Sequence, residues 1–130
     1  MEQALGRHIL CEAYGCDPGL LNDRKVVEQI MVDAALLTGA EVREVAFHKF
    51  SPQGVSGVVV ISESYRAIQT WPELAYATID VFTCGDHVDP WKAADYLVEA
   101  FRATTVQTQE VVRGLPPAAV VGERMEATAS

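Results

Sequence analysis

The stretch Gly54-Val55-Ser56-Gly57-Val58-Val59-Val60-Ile61-Ser62-Glu63-Ser64 decides how this chain folds. Val55 to Ile61 is a short apolar run rich in β-branched side chains, with glycine before it and polar residues after it. That pattern reads as a strand. Ser62-Glu63-Ser64 is a short polar link, and Ala67 to Trp71 resumes as a second strand that stops at Pro72. Two strands joined so closely pair antiparallel, because a parallel pair needs a long crossover.

Upstream, Leu5 to Tyr14 mixes apolar and polar residues as a strand does, and Gly15 to Gly19 carries turn chemistry with Pro18. Asn22 is the expected N-cap of a helix with Val26, Val27, Ile30, Met31, Ala34 and Leu37 on one stripe, stopped by Gly39. Glu41 to Phe50 alternates as a further strand until Ser51-Pro52-Gln53-Gly54 breaks it. Downstream, Leu74 to Thr83 reads as a strand with Ala75, Ala77, Ile79 and Val81 on one face. Asp89-Pro90 is a strong helix start, the Asp as N-cap and the Pro at the first helical position. That helix lines up Trp91, Ala94, Leu97, Val98 and Phe101, and Val106 to Val112 supplies a last strand.

The resulting order, β-α-β-β-β-β-α-β, has two helices with one-sided apolar stripes, and both need one face of a sheet. The expected fold is an α/β (α+β) two-layer sandwich, a mainly antiparallel sheet with two helices on one face. Residues 1–113 form a single domain, and residues 114–130, rich in Pro, Ala and Gly, form a loosely held tail.

At 130 residues the chain fits one compact domain. Its net charge of −8 argues against a nucleic-acid partner, which calls for clustered Lys and Arg. No apolar run approaches the roughly 20 residues of a membrane span. Met1-Glu2-Gln3-Ala4 lacks the start of a signal peptide, so a cytoplasmic location is expected. Cys11, Cys16 and Cys84 lack zinc-ligand pairing and are expected as free thiols with no metal.

Three segments carry a resemblance: Phe47-His48-Lys49-Phe50, the stretch from Gly54 to Ser64, and Ile79-Asp80-Val81-Phe82-Thr83-Cys84-Gly85, with weaker support from Gly6-Arg7-His8 and Asp89-Pro90. In this order and separation the chain resembles the short prokaryotic class of S-adenosylmethionine decarboxylase proenzymes, over roughly residues 4 to 112. The resemblance implies self-cleavage between Glu63 and Ser64, in which Ser64 attacks the Glu63 carbonyl and becomes the pyruvoyl cofactor. The pyruvoyl group forms a Schiff base with the substrate amine and acts as the electron sink that ordinary side chains lack. The product serves as aminopropyl donor for spermidine synthesis. The resemblance also implies a homodimer of processed protomers, for which an exposed sheet edge gives a physical reason.

By the same resemblance Cys84 returns a proton to the substrate, Ser56 assists processing, Phe50 stacks on adenine and Glu73 accepts hydrogen bonds from the ribose. Pattern alone gives plainer readings: a solvated hairpin link for Ser62-Glu63-Ser64, a packing cysteine for Cys84, a strand Ser for Ser56, a core Phe for Phe50 and a surface acid for Glu73. His8 and His48 read as structural histidines and His87 as solvated.

One departure stands out. Where the family has a histidine that serves as the processing base, this chain has Gln69, and a glutamine amide takes up no proton near neutral pH. Tyr65 also replaces a frequent histidine. Two alternatives to S-adenosylmethionine decarboxylation follow: a paralogue acting on arginine or ornithine, and an unprocessed regulatory or structural homologue. The retained Phe50 and Glu73 favour S-adenosylmethionine, since a basic amino acid has no adenine or ribose to bind.

Overall fold

The computed structural model describes residues 4–84 and 88–115. In chain order the elements are β1 (Gly6–Tyr14), α1 (Pro18–Leu21), α2 (Arg24–Leu37), β2 (Val42–Lys49), β3 (Val55–Ile61), β4 (Ser64–Trp71), β5 (Tyr76–Cys84), α3 (Pro90–Ala100) and β6 (Thr105–Arg113). The strands form one six-stranded sheet in the order β2-β3-β4-β5-β1-β6, and all five pairings are antiparallel. This is the expected α+β sandwich.

Both long helices lie on one face. α2 covers β2 and β3, α3 covers β1 and β5, and the helices touch each other. Strand alternation decides what they cover. Ile9, Cys11 and Ala13 of β1, Val55, Val59 and Ile61 of β3, and Ala77, Ile79 and Val81 of β5 point inward and are buried. From above they meet Val27, Met31 and Ala34 of α2 and Ala94, Leu97 and Phe101 near α3. Each fully buried Val, Leu, Ile, Met or Phe side chain of this set stabilises the fold by about 1.5–3 kcal/mol. At the β6 edge, Glu110 ties three elements together, accepting from Arg7 Nε at 2.6 Å and from Trp91 Nε1 at 2.7 Å.

The second face carries no helix. On it Tyr14 stacks on Tyr76 and Tyr76 on Trp71, while Tyr65 stacks on Phe82 with His8 edge-on to both.

Local expectations differ from the structure in three places. The N-cap of α2 is Asp23, which accepts from the N–H groups of Lys25 and Val26. Asn22 instead caps the end of α1, a turn of helix that Asp17 opens, and its Oδ1 accepts from Gly54 N–H at 2.9 Å. Leu37 lies off the buried stripe and is 41% exposed, whereas Ala35 is buried. Ala75 adopts a left-handed conformation (φ 52°) after the 3-10 turn Pro72–Leu74, so it does not share the inward face of β5. Asp89 caps α3 with Pro90 inside the first turn, as its sequence requires. Gly114 O accepts from Leu5 N–H at 3.1 Å, while residues 116–130 of the expected loose tail, and His87, lie outside the described residues. Among the described residues no helix is long and apolar enough to cross a membrane.

Candidate active site

The β3–β4 hairpin closes at the pair Ile61–Ser64, leaving Ser62 and Glu63 as a two-residue loop. Such loops favour positive φ and hence Gly or Asn. Here Ser62 takes φ 25°, a conformation that costs a non-glycine residue about 1–3 kcal/mol. The strained turn sits one residue before the Glu63-Ser64 bond.

Pairing of β4 with β5 sets the end of β5 beside that bond. The Cys84 backbone N–H donates to Ser64 Oγ at 3.1 Å, and its Sγ–H donates to the Glu63 carbonyl oxygen at 2.8 Å. One residue therefore holds both the hydroxyl and the neighbouring carbonyl. Burial pushes the Cys84 thiol up from its ordinary value, and the nearby Glu63 carboxylate adds to the effect. The sulfur is accordingly a protonated donor at neutral pH. A donor on the carbonyl oxygen stabilises the negative charge that builds there under nucleophilic attack.

The other candidates lie elsewhere. Ser56 and Gln69 face each other across the β3–β4 ladder, and His48 faces Ser56 across β2–β3. Together with Thr78 and Asp80 they line a groove of about 500 Å³ on the helix-free face. Phe50 follows β2, is 40% exposed, and meets His48 edge-on with ring centroids 4.7 Å apart. Glu73 lies exposed in the 3-10 turn that follows β4. Phe50, Ser56, Gln69 and Glu73 thus share the end of the sheet opposite to Ser64. Five residues of strand separate Ser64 from Gln69, about 17 Å at the rise of an extended chain, and an odd offset places them on opposite faces. Within one chain the structure brings Glu63, Ser64 and Cys84 together and leaves the second group apart.

Comparison with known proteins fits the fold and shows the family. The S-adenosylmethionine decarboxylase family model matches residues 7–114. The chain belongs to the S-adenosylmethionine decarboxylase family. The S-adenosylmethionine decarboxylase proenzyme of Caldicellulosiruptor saccharolyticus is 66% identical over 112 residues, covering 86% of this chain and 90% of that protein. That of Moorella thermoacetica is 65% identical over 119 residues, covering 90% of this chain and 95% of its own. The crystal structure of the adenosylmethionine decarboxylase from Aquifex aeolicus superposes with a TM-score of 0.82 at 29% identity, over 96% of this chain and 99% of that one.

In this member of the S-adenosylmethionine decarboxylase family, two polar residues beside the Glu63-Ser64 bond escaped the sequence reading. Arg66 is wholly buried. Its Nη1 donates to the carbonyls of Tyr65 and Phe82 at 3.3 Å each, its Nη2 reaches Thr38 Oγ1 only at 3.5 Å, and Nε has no partner among the described residues. Desolvation lowers this guanidinium to about 10, so it stays charged at neutral pH. Thr83 is also buried, and its hydroxyl has no partner among the described residues. By contrast, buried Thr70 is satisfied, donating to Leu21 O at 2.8 Å and accepting from Val55 N–H at 2.9 Å. A signal for Arg66 existed in the period of β4, where Arg66, Ile68 and Thr70 fall on the inward face.

Other sequence candidates are placed as follows. His8 Nε2 is buried, 3.9 Å from Asp80 Oδ1 and with no hydrogen-bond partner among the described residues, while its Nδ1 lies 3.3 Å from Arg113 Nη1. His48 is exposed. Cys11 and Cys16 are buried free thiols, both pushed up by burial. Among the described residues no group of three or more His, Cys, Asp or Glu side chains is arranged to hold a metal.

Proposed function

We propose that this chain is a proenzyme that cuts itself between Glu63 and Ser64 and then decarboxylates S-adenosylmethionine. The observation that carries this reading is the double hold of Cys84 on Ser64 Oγ and on the Glu63 carbonyl oxygen, at 3.1 and 2.8 Å. The strained Ser62 turn supports it, because breaking the chain at position 63 releases that strain.

Ser64 fits the pyruvoyl group that the family relationship implies, since it starts a strand and keeps its Cα beside Cys84 after the chain is cut. A pyruvoyl group there supplies the electron sink for loss of carbon dioxide. Cys84, a protonated thiol, is positioned to hand its proton to the carbon that loses carbon dioxide. The Phe50 ring offers a stacking surface for adenine, and the exposed Glu73 carboxylate offers acceptors for the ribose hydroxyls. Those two contacts select S-adenosylmethionine over arginine or ornithine. The decarboxylated product would be the aminopropyl donor of spermidine synthesis, made in the cytoplasm.

The roughly 17 Å between Ser64 and Gln69 means that one chain does not complete this site alone. We read the active form as a homodimer in which Phe50, Ser56, Gln69 and Glu73 of one copy face Ser64 and Cys84 of the other.

Intact mass of the purified protein tests the first step. Cleavage yields residues 1–63 and a 67-residue fragment (130 − 63) that resists Edman sequencing because its amine has become a ketone. A single intact chain after prolonged incubation points instead to an unprocessed regulatory or structural role. Carbon dioxide release should then be greater from S-adenosylmethionine than from arginine or ornithine; turnover of a basic amino acid alone would reject the substrate assignment.

A further inference from the structure

Arg66 and Thr83 point at a step that nothing above explains. Both are buried, both leave a polar atom without a partner among the described residues, and both line a single cavity of about 560 Å³. The same cavity is lined by Glu63, Ser64 and Cys84. A buried guanidinium paired only with neutral groups is expensive to keep. Its carbonyl and hydroxyl contacts at 3.3–3.5 Å are long for hydrogen bonds, and no carboxylate pairs with it among the described residues. The environment is built for an anion that arrives later.

Self-cleavage itself produces one. In the first step Ser64 Oγ bonds to the Glu63 carbonyl carbon, the Glu63–Ser64 C–N bond breaks, and the nitrogen takes up the hydroxyl proton to become a free amine. In the second step a base removes the Ser64 Cα proton and the Cβ–Oγ bond breaks. The electron pair leaves with oxygen, so Glu63 becomes a carboxylate and residue 64 a dehydroalanine. That residue tautomerises to an imine, and water replaces ammonia to leave the ketone. The second step therefore expels a carboxylate into the space beside Glu63.

We propose that Arg66, with the Thr83 hydroxyl, forms a carboxylate-holding subsite that receives the Glu63 carboxylate as it leaves and so accelerates the elimination. A substrate carboxylate is a poorer occupant. Decarboxylation turns that carboxylate into neutral carbon dioxide, so a cation on it stabilises the ground state more than the transition state and slows the reaction. A departing carboxylate gains charge in the transition state, and the same cation speeds its release. This also gives the chain a means of driving elimination where Gln69 provides no base.

The inference rests on the self-cleavage reading, and the test separates the two. Full-length chains made by cell-free synthesis are followed by intact mass, with and without a hydroxylamine pulse, which splits esters far faster than amides. Relative to the parent, Arg66→Leu should cleave about 10²–10³-fold more slowly, the usual loss when one charge-stabilising donor is removed. It should also accumulate hydroxylamine-sensitive ester at Glu63-Ser64, because only the second step is hindered, and Arg66→Lys should recover part of the rate. A merely structural role would slow both steps and leave no ester. If the parent cleaves and Arg66→Leu keeps pace, or slows without ester, Arg66 has no such role while self-cleavage stands. If the parent neither cleaves nor yields to hydroxylamine, the self-cleavage reading fails and the leaving-group role fails with it. The subsite is then judged separately on the uncleavable Ser64→Ala chain. Sodium formate should raise its melting temperature saturably above a sodium chloride control, and Ser64→Ala/Arg66→Leu should lose that response. Equal responses in both chains overturn the subsite as well.

Discussion

Placing a histidine at position 69 should restore fast self-cleavage, but only across two chains. The sheet geometry sets both the sign and the reach. Ser64 and Gln69 belong to one strand, five residues apart, which makes about 17 Å along the extended backbone, with side chains on opposite faces. A general base must come within about 2.6–3.2 Å of the proton it takes, or act through one water. An imidazole at position 69 therefore cannot serve the Ser64 of its own chain. Facing the Ser64 of a second copy, it should accelerate elimination by about 10²–10⁴-fold, because imidazole accepts a proton near neutral pH. The assay co-expresses two chains with tags of different mass. One carries Ser64→Ala and Gln69→His and is uncleavable; the other is the parent sequence. In mixed dimers the parent chain should cleave faster than in parent dimers by that factor, read by intact mass over time. The reciprocal pairing, Gln69→His beside a Ser64→Ala partner that keeps Gln69, should remain as slow as the parent. Fast cleavage of the Gln69→His chain beside that inert partner would falsify the argument, because the base would then be acting within one chain.

Three further outcomes follow from the same contacts. Arg66→Met should stabilise the uncleaved precursor by up to about 3 kcal/mol in urea titration. The lowering of this guanidinium to about 10 from its usual range above 12 represents a desolvation cost of that order, and an apolar side chain of similar size removes it; a clear loss of stability would mean the charge is already well paired. Cys84→Ala should leave a fraction of chains able to cleave yet cut decarboxylation by about 10²–10⁴-fold, and unchanged turnover in the processed fraction would exclude the thiol as proton donor. Hydrogen bonds from Arg7 and Trp91 hold the Glu110 carboxyl below its ordinary value. Its contribution is therefore complete above the unfolded value near 4 and is lost as the pH falls through the lower folded one. Because the pair is partly exposed, Glu110→Gln should cost under about 1 kcal/mol at pH 7, and the difference from the parent should vanish toward pH 2; a gap that persists in acid would show that the charge is not its source.

Much of this protein is legible in one dimension. The strand from Val55 to Ile61, the stop at Pro72 and the Asp89-Pro90 helix start are local devices, set by β-branched runs, a missing N–H and a side-chain cap. They act within a few residues, so the sequence displays them directly, and with two apolar helical stripes they dictate a sheet covered on one face. The segments around Ser64 and Cys84 are equally local, and their resemblance to a known family marked both residues where pattern alone reads a hairpin link and a packing cysteine. Tertiary structure decided what depends on distance. Only the ladder register sets Cys84 Sγ against the Glu63 carbonyl and its N–H against Ser64 Oγ, 21 and 20 positions away along the chain. Only the extent of β4 parts Ser64 from Gln69, so that the candidate site residues fall into two groups at opposite ends of the sheet. Burial likewise belongs to the folded chain: nothing local in Ser64-Tyr65-Arg66 reveals that the guanidinium is buried between Thr38 and Phe82 with a nitrogen that has no partner among the described residues, because desolvation is a property of the packed surroundings.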